Sequence, residues 1–223
     1  MRLSAGGPTM VENQPNGLLG VWLHVPPEQE EEFNAWYNTE HIQQVTSIPG
    51  FINGRRYRAL EAVPKYLALY ELHDDTVTAG REFQQMLAHP TPWSARMLSF
   101  YKDHRIRHTF RRIFTAGEAP TQDTPYLYIV KMDIPADVEQ DFNDWYNNEH
   151  VPGLASVPGC FRARRFLAVD GQPKYMAVYE IETPDVISSA AWARARDTAW
   201  TEKIRPHMQY LERRVYQLIL PAK

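Results

Sequence analysis

His41 and His150 each close the same six-residue phrase, Trp-Tyr-Asn-x-Glu-His, at 36–41 and 145–150, with matching residues 109 positions apart. An imidazole exchanges protons near neutral pH. Tyr66, Tyr175, Tyr70 and Tyr179 add phenolic donors, and Arg55 and Arg164 add planar guanidinium forks suited to an anionic oxygen pair. A proton shuttle, a hydroxyl donor and an anion clamp suit proton abstraction beside a carbonyl, with stabilisation of the enolate that forms. His41, His150, Tyr66 and Tyr175 are therefore the expected catalytic group. Arg55, Arg164, Tyr70, Tyr179, Trp36, Trp145, Asn38 and Asn147 are the expected substrate contacts.

Each of these residues also has an ordinary structural use. A histidine at a helix end can face the terminal carbonyls. Trp36 and Trp145 can be core, and Glu40 and Glu149 can cap or pair rather than act as bases. Arg56 and Arg165 are expected on the other sheet face, in plain ion pairs with Glu71 and Glu180, outside the site. Cys160, the single cysteine, is expected to be structural, and its isolation excludes an internal disulfide or a multi-cysteine metal cage.

Composition narrows the class. The formal charge of −3 argues against nucleic acid or an anionic membrane as partner. No apolar run reaches bilayer length. One cysteine suits a reducing cytoplasm. There is no Gly-rich phosphate loop, G-x-S-x-G or H-E-x-x-H, and adjacent Glu-His pairs point about 100° apart on a helix, so neither cofactor nor metal is expected. The basic stretch "HRIRHTFRR" (104–112) reads as a strand with alternate residues solvated.

The elements that must position these residues repeat. Phe33–Leu72 aligns without a gap on Phe142–Ile181, with roughly half the positions identical. Strands are expected at 18–25, 51–60, 65–72 and 105–114, then at 126–134, 160–169, 174–181 and 211–220. Helices are expected at 28–47 and 76–100, then at 136–156 and 184–204, with Pro-Gly at 49–50 and 158–159 ending the first of each pair. That order is βαββαβ, the ferredoxin-like pattern. The boundaries are a flexible arm (1–17), a first half (18–114), a linker (115–125) and a second half (126–220). The fold class is α+β, two tandem ferredoxin-like units packed sheet to sheet as one α/β barrel within the chain.

At 100° per residue Phe33, Trp36, Tyr37, Glu40 and Gln44 share one helix stripe, and Asn34, Asn38, His41 and Val45 an adjacent one. The Asn side chains are expected to set the imidazole tautomer. A four-residue hairpin loop, 61–64, would pair Leu60 with Lys65 and Arg55 with Tyr70. Arg55, Tyr57, Tyr66 and Tyr70 would then line the interior between the sheets, unless a bulge inverts the faces.

The phrases "WYNTEHIQQVTSIPGF" and "WYNNEHVPGLASVPGCF" resemble the dimeric α/β-barrel superfamily, and within it the EthD-like type. The resemblance covers 18–114 and 126–220, and implies the barrel. Its functional reach is loose: muconolactone isomerase, polyketide cyclases, small monooxygenases, haem enzymes and proteins without known activity share it. The second copy keeps His150-Val151-Pro152 where the first has His41-Ile42-Gln43, and so is the favoured site. With the residues above, the expected activity is cofactor-independent isomerisation or cyclisation of an unsaturated, anionic small molecule, such as an aromatic ring-cleavage product or a polyketide-like aromatic. Ester or lactone hydrolysis and non-catalytic ligand binding stand as alternatives. A homodimer is left open.

Overall fold

The computed structural model describes residues 15–101 and 105–222. The expected arm lies mostly outside them, and Gly17 already opens the first strand.

The first half runs β1 (Gly17–Leu23), α1 (30–46), β2 (Phe51–Ala59), β3 (Tyr66–Leu72), α2 (Arg81–Ala88), α3 (Pro92–Tyr101) and β4 (Arg105–Gly117). The second runs β5 (Tyr126–Asp133), α4 (139–155), β6 (Cys160–Ala168), β7 (Tyr175–Ile181), α5 (Ala190–Arg196), α6 (Ala199–Ile204) and β8 (Gln209–Leu220). Each half thus has the expected order, with its second helix in two pieces. The break in the first half falls at His89-Pro90-Thr91-Pro92, where prolines supply no amide hydrogen and crowd the preceding turn. In the second half Thr198 restarts the helix by accepting the Thr201 amide. The expected linker begins inside β4, which continues to Gly117.

The eight strands close into one antiparallel barrel, ordered β1-β3-β2-β8-β5-β7-β6-β4. Two seams join the halves, β2 on β8 and β4 on β6. Closure leaves no open sheet edge. Side chains alternate between two destinations. Leu18, Trp22, Tyr57, Leu67, Leu69, Phe110 and their second-half counterparts fill the barrel interior. Leu19, Val21, Tyr66, Tyr70 and Phe33 form the layer between sheet and helices in the first half. Among the described residues no helix is long and apolar enough to cross a membrane.

This alternation corrects the expected hairpin. Arg55 faces Leu69 and Arg56 faces Ala68, while Gly54 takes the place opposite Tyr70. Ala59 donates its amide to Lys65, so the turn holds five residues, 60–64, rather than four. A one-residue slip exchanges every face of a strand. Arg55 and Arg164 therefore point into the barrel with the leucines, and Tyr66, Tyr70, Tyr175 and Tyr179 lie under the helices.

Candidate functional site

Helix α1 begins at Glu30–Trp36, makes a π-helical turn at Tyr37–His41 and continues at Ile42–Thr46. The Ile42 amide donates to the Tyr37 carbonyl five residues back. Helix α4 does the same through Glu139–Trp145, Tyr146–His150 and Val151–Ala155. The wider turn brings residues five apart onto one face, which ordinary helical spacing would separate. The rings of Trp36 and His41 stack at 4.4 Å and 21°, with Tyr37 edge-on to the imidazole at 4.9 Å. Trp145 and His150 lie 4.3 Å apart. Single-turn π bulges of this kind concentrate at functional sites.

The arginine that supports this wall is Arg56, which sequence reasoning set aside. Its guanidinium lies 4.3 Å from the Tyr37 ring centre and donates to the side-chain oxygens of Asn38 and, at 2.8 Å, Asn34. Arg165 repeats this over Tyr146 at 4.2 Å, with Asn147 at 2.6 Å and Asn143 at 2.9 Å. A desolvated cation over an aromatic face is worth about 2 kcal/mol. Asn38 and Asn147 thus hold arginines rather than setting a histidine tautomer. Nor do Arg56 and Arg165 pair with Glu71 and Glu180 as expected, because the slip puts those glutamates inside the barrel. Tyr66 and Tyr175 also leave the catalytic group. Tyr66 donates to Glu30 and accepts from Asn34 at 2.9 Å, outside the cavity. Tyr175 bonds Glu139 and Asn143 likewise. Glu40 accepts from Thr91 at 2.6 Å and anchors the start of α3.

What the first half encloses is a cavity of about 450 Å³ between α1, α2, α3 and the sheet. That is the size of a small-molecule site. Trp36, Tyr37, His41 and Tyr70 form one wall, and Phe83, Met86, Leu87 and Tyr101 another. Tyr70 donates to the Tyr37 hydroxyl at 3.0 Å. Arg105 and Arg107 complete the lining. They stand opposite Leu23 and Val21 of β1 and two residues apart, hence on the same, helix-facing side of β4. Neither makes an ion pair among the described residues. The basic stretch read as solvated is in part a cavity wall; the alternation Arg-Ile-Arg against the apolar β1 was the available signal.

Burial sets the charge states. Desolvation brings His41 down to about 4, opposed by a hydrogen bond with Gln44 and reinforced by Arg105 and Arg56. His150 falls to about 3, again through burial first and then four arginines, Arg165, Arg205, Arg196 and Arg213. Burial raises Tyr37 and Tyr70, so their hydroxyls stay protonated. Both histidines are neutral near pH 7. A resting pair of imidazole bases matched to neutral pH is not present.

The equivalent space in the second half is about 40 Å³. Tyr128 stands where the first half has Leu19, and Trp192 where it has Phe83. Arg213 faces Val130 as Arg107 faces Val21, and two residues earlier Leu211 takes the place of Arg105. His150, Trp145 and Tyr179 therefore border a filled core, and the cavity lies with His41, not with the copy that keeps His-Val-Pro.

Haem enzymes are among the proteins that the repeated phrase resembles, which prompts a test of His41 as an axial ligand. Its Nδ1 is buried without a hydrogen-bond partner. That atom cannot reach a ligand, and coordination through Nε2 would leave a buried N–H without the acceptor that metal-bound histidines almost always have. The donor set does not fit haem. No group of three or more metal-ligating side chains occurs among the described residues.

No family model matches the chain, and no curated protein matches it. Solved structures do. A protein with a provisional monooxygenase name from Fusobacterium nucleatum is 9% identical, with TM-score 0.64 over 92% of this chain and 94% of that one. An anthrone oxidase-like protein is 12% identical, with TM-score 0.64 over 94% of each chain. A mutant chlorite dismutase from Candidatus Nitrospira defluvii is 8% identical, with TM-score 0.59 over 93% and 92%. At such identities the likeness shows the fold, the ferredoxin-like α/β barrel. These names are oxidative, and they overturn the expectation of an isomerase, cyclase or hydrolase. The site points the same way, since Arg55 and Arg164 lie on the opposite sheet face from the histidines and the imidazoles are weak bases.

Proposed function

We propose that the chain is an oxidising enzyme, built from two EthD-like copies, that takes a flat, electron-rich aromatic anion into the first-half cavity. The observation that carries this is Arg105 and Arg107, without an ion pair among the described residues, lining an aromatic pocket beside a neutral His41. Guanidinium groups that no described carboxylate neutralises favour a phenolate or enolate over its neutral acid. Such an anion gives an electron to dioxygen without a strong base. Recombination yields a carbon-bound hydroperoxide, which loses water to leave a ketone. One methylene and one dioxygen thus become one carbonyl and one water. His41 accepts the proton from carbon in passing and returns it to the departing oxygen; its weak basicity suits a transfer, not a resting imidazolium. Tyr37 and Tyr70 hold the ring plane by contact.

Oxygen uptake with anthrone as probe tests this against a protein-free control. The expected result is one dioxygen consumed per anthrone, faster with protein, and a KM raised at least about tenfold in Arg105→Gln/Arg107→Gln for two lost charge-assisted hydrogen bonds. Uptake no faster than the control, or unchanged in the double variant, would sink the reading.

A further inference from the structure

A second cavity lies on the opposite side of the sheet, at one mouth of the barrel. It measures about 270 Å³ and is lined by Arg55, Tyr57, Arg162, Arg164 and Glu180, with residues 120–124 of the β4–β5 connection across it. The strands put these side chains together because Arg55 and Tyr57 on β2, and Arg162 and Arg164 on β6, are each two apart and so face inward.

Its hydrogen-bonding capacity is unequal. Arg164 donates to Glu71 at 2.8 Å through Nη1 and forms an ion pair with Glu180 at 2.8 Å through Nη2. Its Nε is buried with no partner, on a side chain 9% exposed. Arg162 donates to Glu180 through Nε and Nη2, at 3.2 and 2.8 Å. Arg55 donates to Asp123 at 2.5 Å and to Asn53 at 2.7 Å. The remaining Asp123 oxygen accepts the Ala222 amide at 2.7 Å. The carboxylates are thus engaged by protein donors. Left over are Arg164 Nε, one terminal nitrogen each on Arg55 and Arg162, and the Tyr57 hydroxyl, none of which has a hydrogen-bond partner among the described residues. Arg112 adds a further positive charge near Arg162 and Arg164. Glu71 is held down at about 2, where burial alone would raise it, by Arg164, Asn53 and Arg55, so its carboxylate is ionised and occupied.

A cavity with donors to spare and its acceptors in use suits a ligand that only accepts. We infer that the barrel mouth is a binding site for one small oxyanion, a carboxylate of a few carbons or a phosphate, held by Arg164, Arg55, Arg162 and Tyr57. Single waters could satisfy each donor in turn; an oxyanion satisfies several at once and adds attraction to the arginines. This site does not depend on the oxidative reading, since it lies across the sheet from His41.

Titration calorimetry with malonate and with phosphate, at ionic strength fixed by sodium chloride, tests it. The expected result is saturable binding of one or both at one site per chain. Tyr57→Phe should weaken binding roughly tenfold, as one hydrogen bond to a charged acceptor is lost, without changing the melting temperature in anion-free buffer. Arg164→Met should abolish it; because that change leaves Glu71 and Glu180 less paired and can unfold the chain, Tyr57→Phe is the decisive variant. Arg105→Leu should bind as wild type, which separates this site from the helix-side cavity. No saturable heat with either anion, equal affinity in Tyr57→Phe, or loss of binding in Arg105→Leu would each overturn the inference.

Discussion

The two halves share a wall and differ in what the wall encloses. Both carry the tryptophan-histidine stack, the π-helical turn and an arginine bridging two asparagines to a tyrosine face. Yet one holds about 450 Å³ and the other about 40 Å³. Two positions put larger rings in the second half, Tyr128 where the first has Leu19 and Trp192 where it has Phe83, while a third changes the charge, Leu211 for Arg105. All three lie outside the repeated phrase. The phrase builds a scaffold, and residues on β1, α2 and β4 decide whether the scaffold encloses a site.

The comparison can be broken by exchanging those positions. Leu19→Tyr/Phe83→Trp should fill the first cavity and reduce oxygen uptake to the protein-free rate while the fold persists, checked by circular dichroism. The reverse pair, Tyr128→Leu/Trp192→Phe, should cost about 2–4 kcal/mol in a denaturant melt, because it removes packed aromatic volume. Its two sites touch, ring to ring at 5.9 Å, so the costs should not add.

The histidines separate next. His150→Ala should cost about 1–3 kcal/mol of stability through its buried ring contacts and leave oxygen uptake unchanged. His41→Ala should cost less in melting, because His41 keeps some surface at the cavity, and should lower turnover about tenfold or more. Equal losses of activity in both variants would return the second half to the mechanism.

The smallest effect is in pH. Both histidines titrate lower in the folded chain than the ordinary value near 6.5, His41 at about 4 and His150 at about 3. Between those values and 6.5 the unfolded chain binds more protons, so stability is lost as pH falls through that window. The slope should reach about 1.4 kcal/mol per pH unit for each histidine. Denaturant melts from pH 7 to 4.5 should show it, reduced by one proton in His41→Gln or His150→Gln.

Element order was legible because it rests on local signals repeated at a fixed offset: β-branched runs, acidic helix starts and Pro-Gly stops. Gly50 and Gly159 sit at φ 93° and 85°, where only glycine is comfortable, and so the helix ends were fixed by composition. The register was not legible. Nothing in "LEAVPK" says whether the turn takes four residues or five, and that one count left Arg55 and Tyr57 facing inward as expected but moved Tyr66 and Tyr70 to the helix side, beside Arg56. The paired asparagines at 34 and 38 carried the missing clue, since two side-chain carbonyls on a sheet-facing stripe call for a buried donor such as Arg56. The Trp-His stack was hidden for a related reason: a single wide turn defeats a fixed angle per residue. The cavity could not be read at all, because a void is a property of side chains that fail to meet.

The seams of β2 on β8 and β4 on β6 have a further effect. A barrel assembled from two identical chains carries every substitution twice, so a residue that fills one pocket fills both. Here both walls are encoded separately in one chain. One side can fill while the other stays hollow. Asymmetry is the freedom that a covalently joined pair has and a symmetric pair lacks.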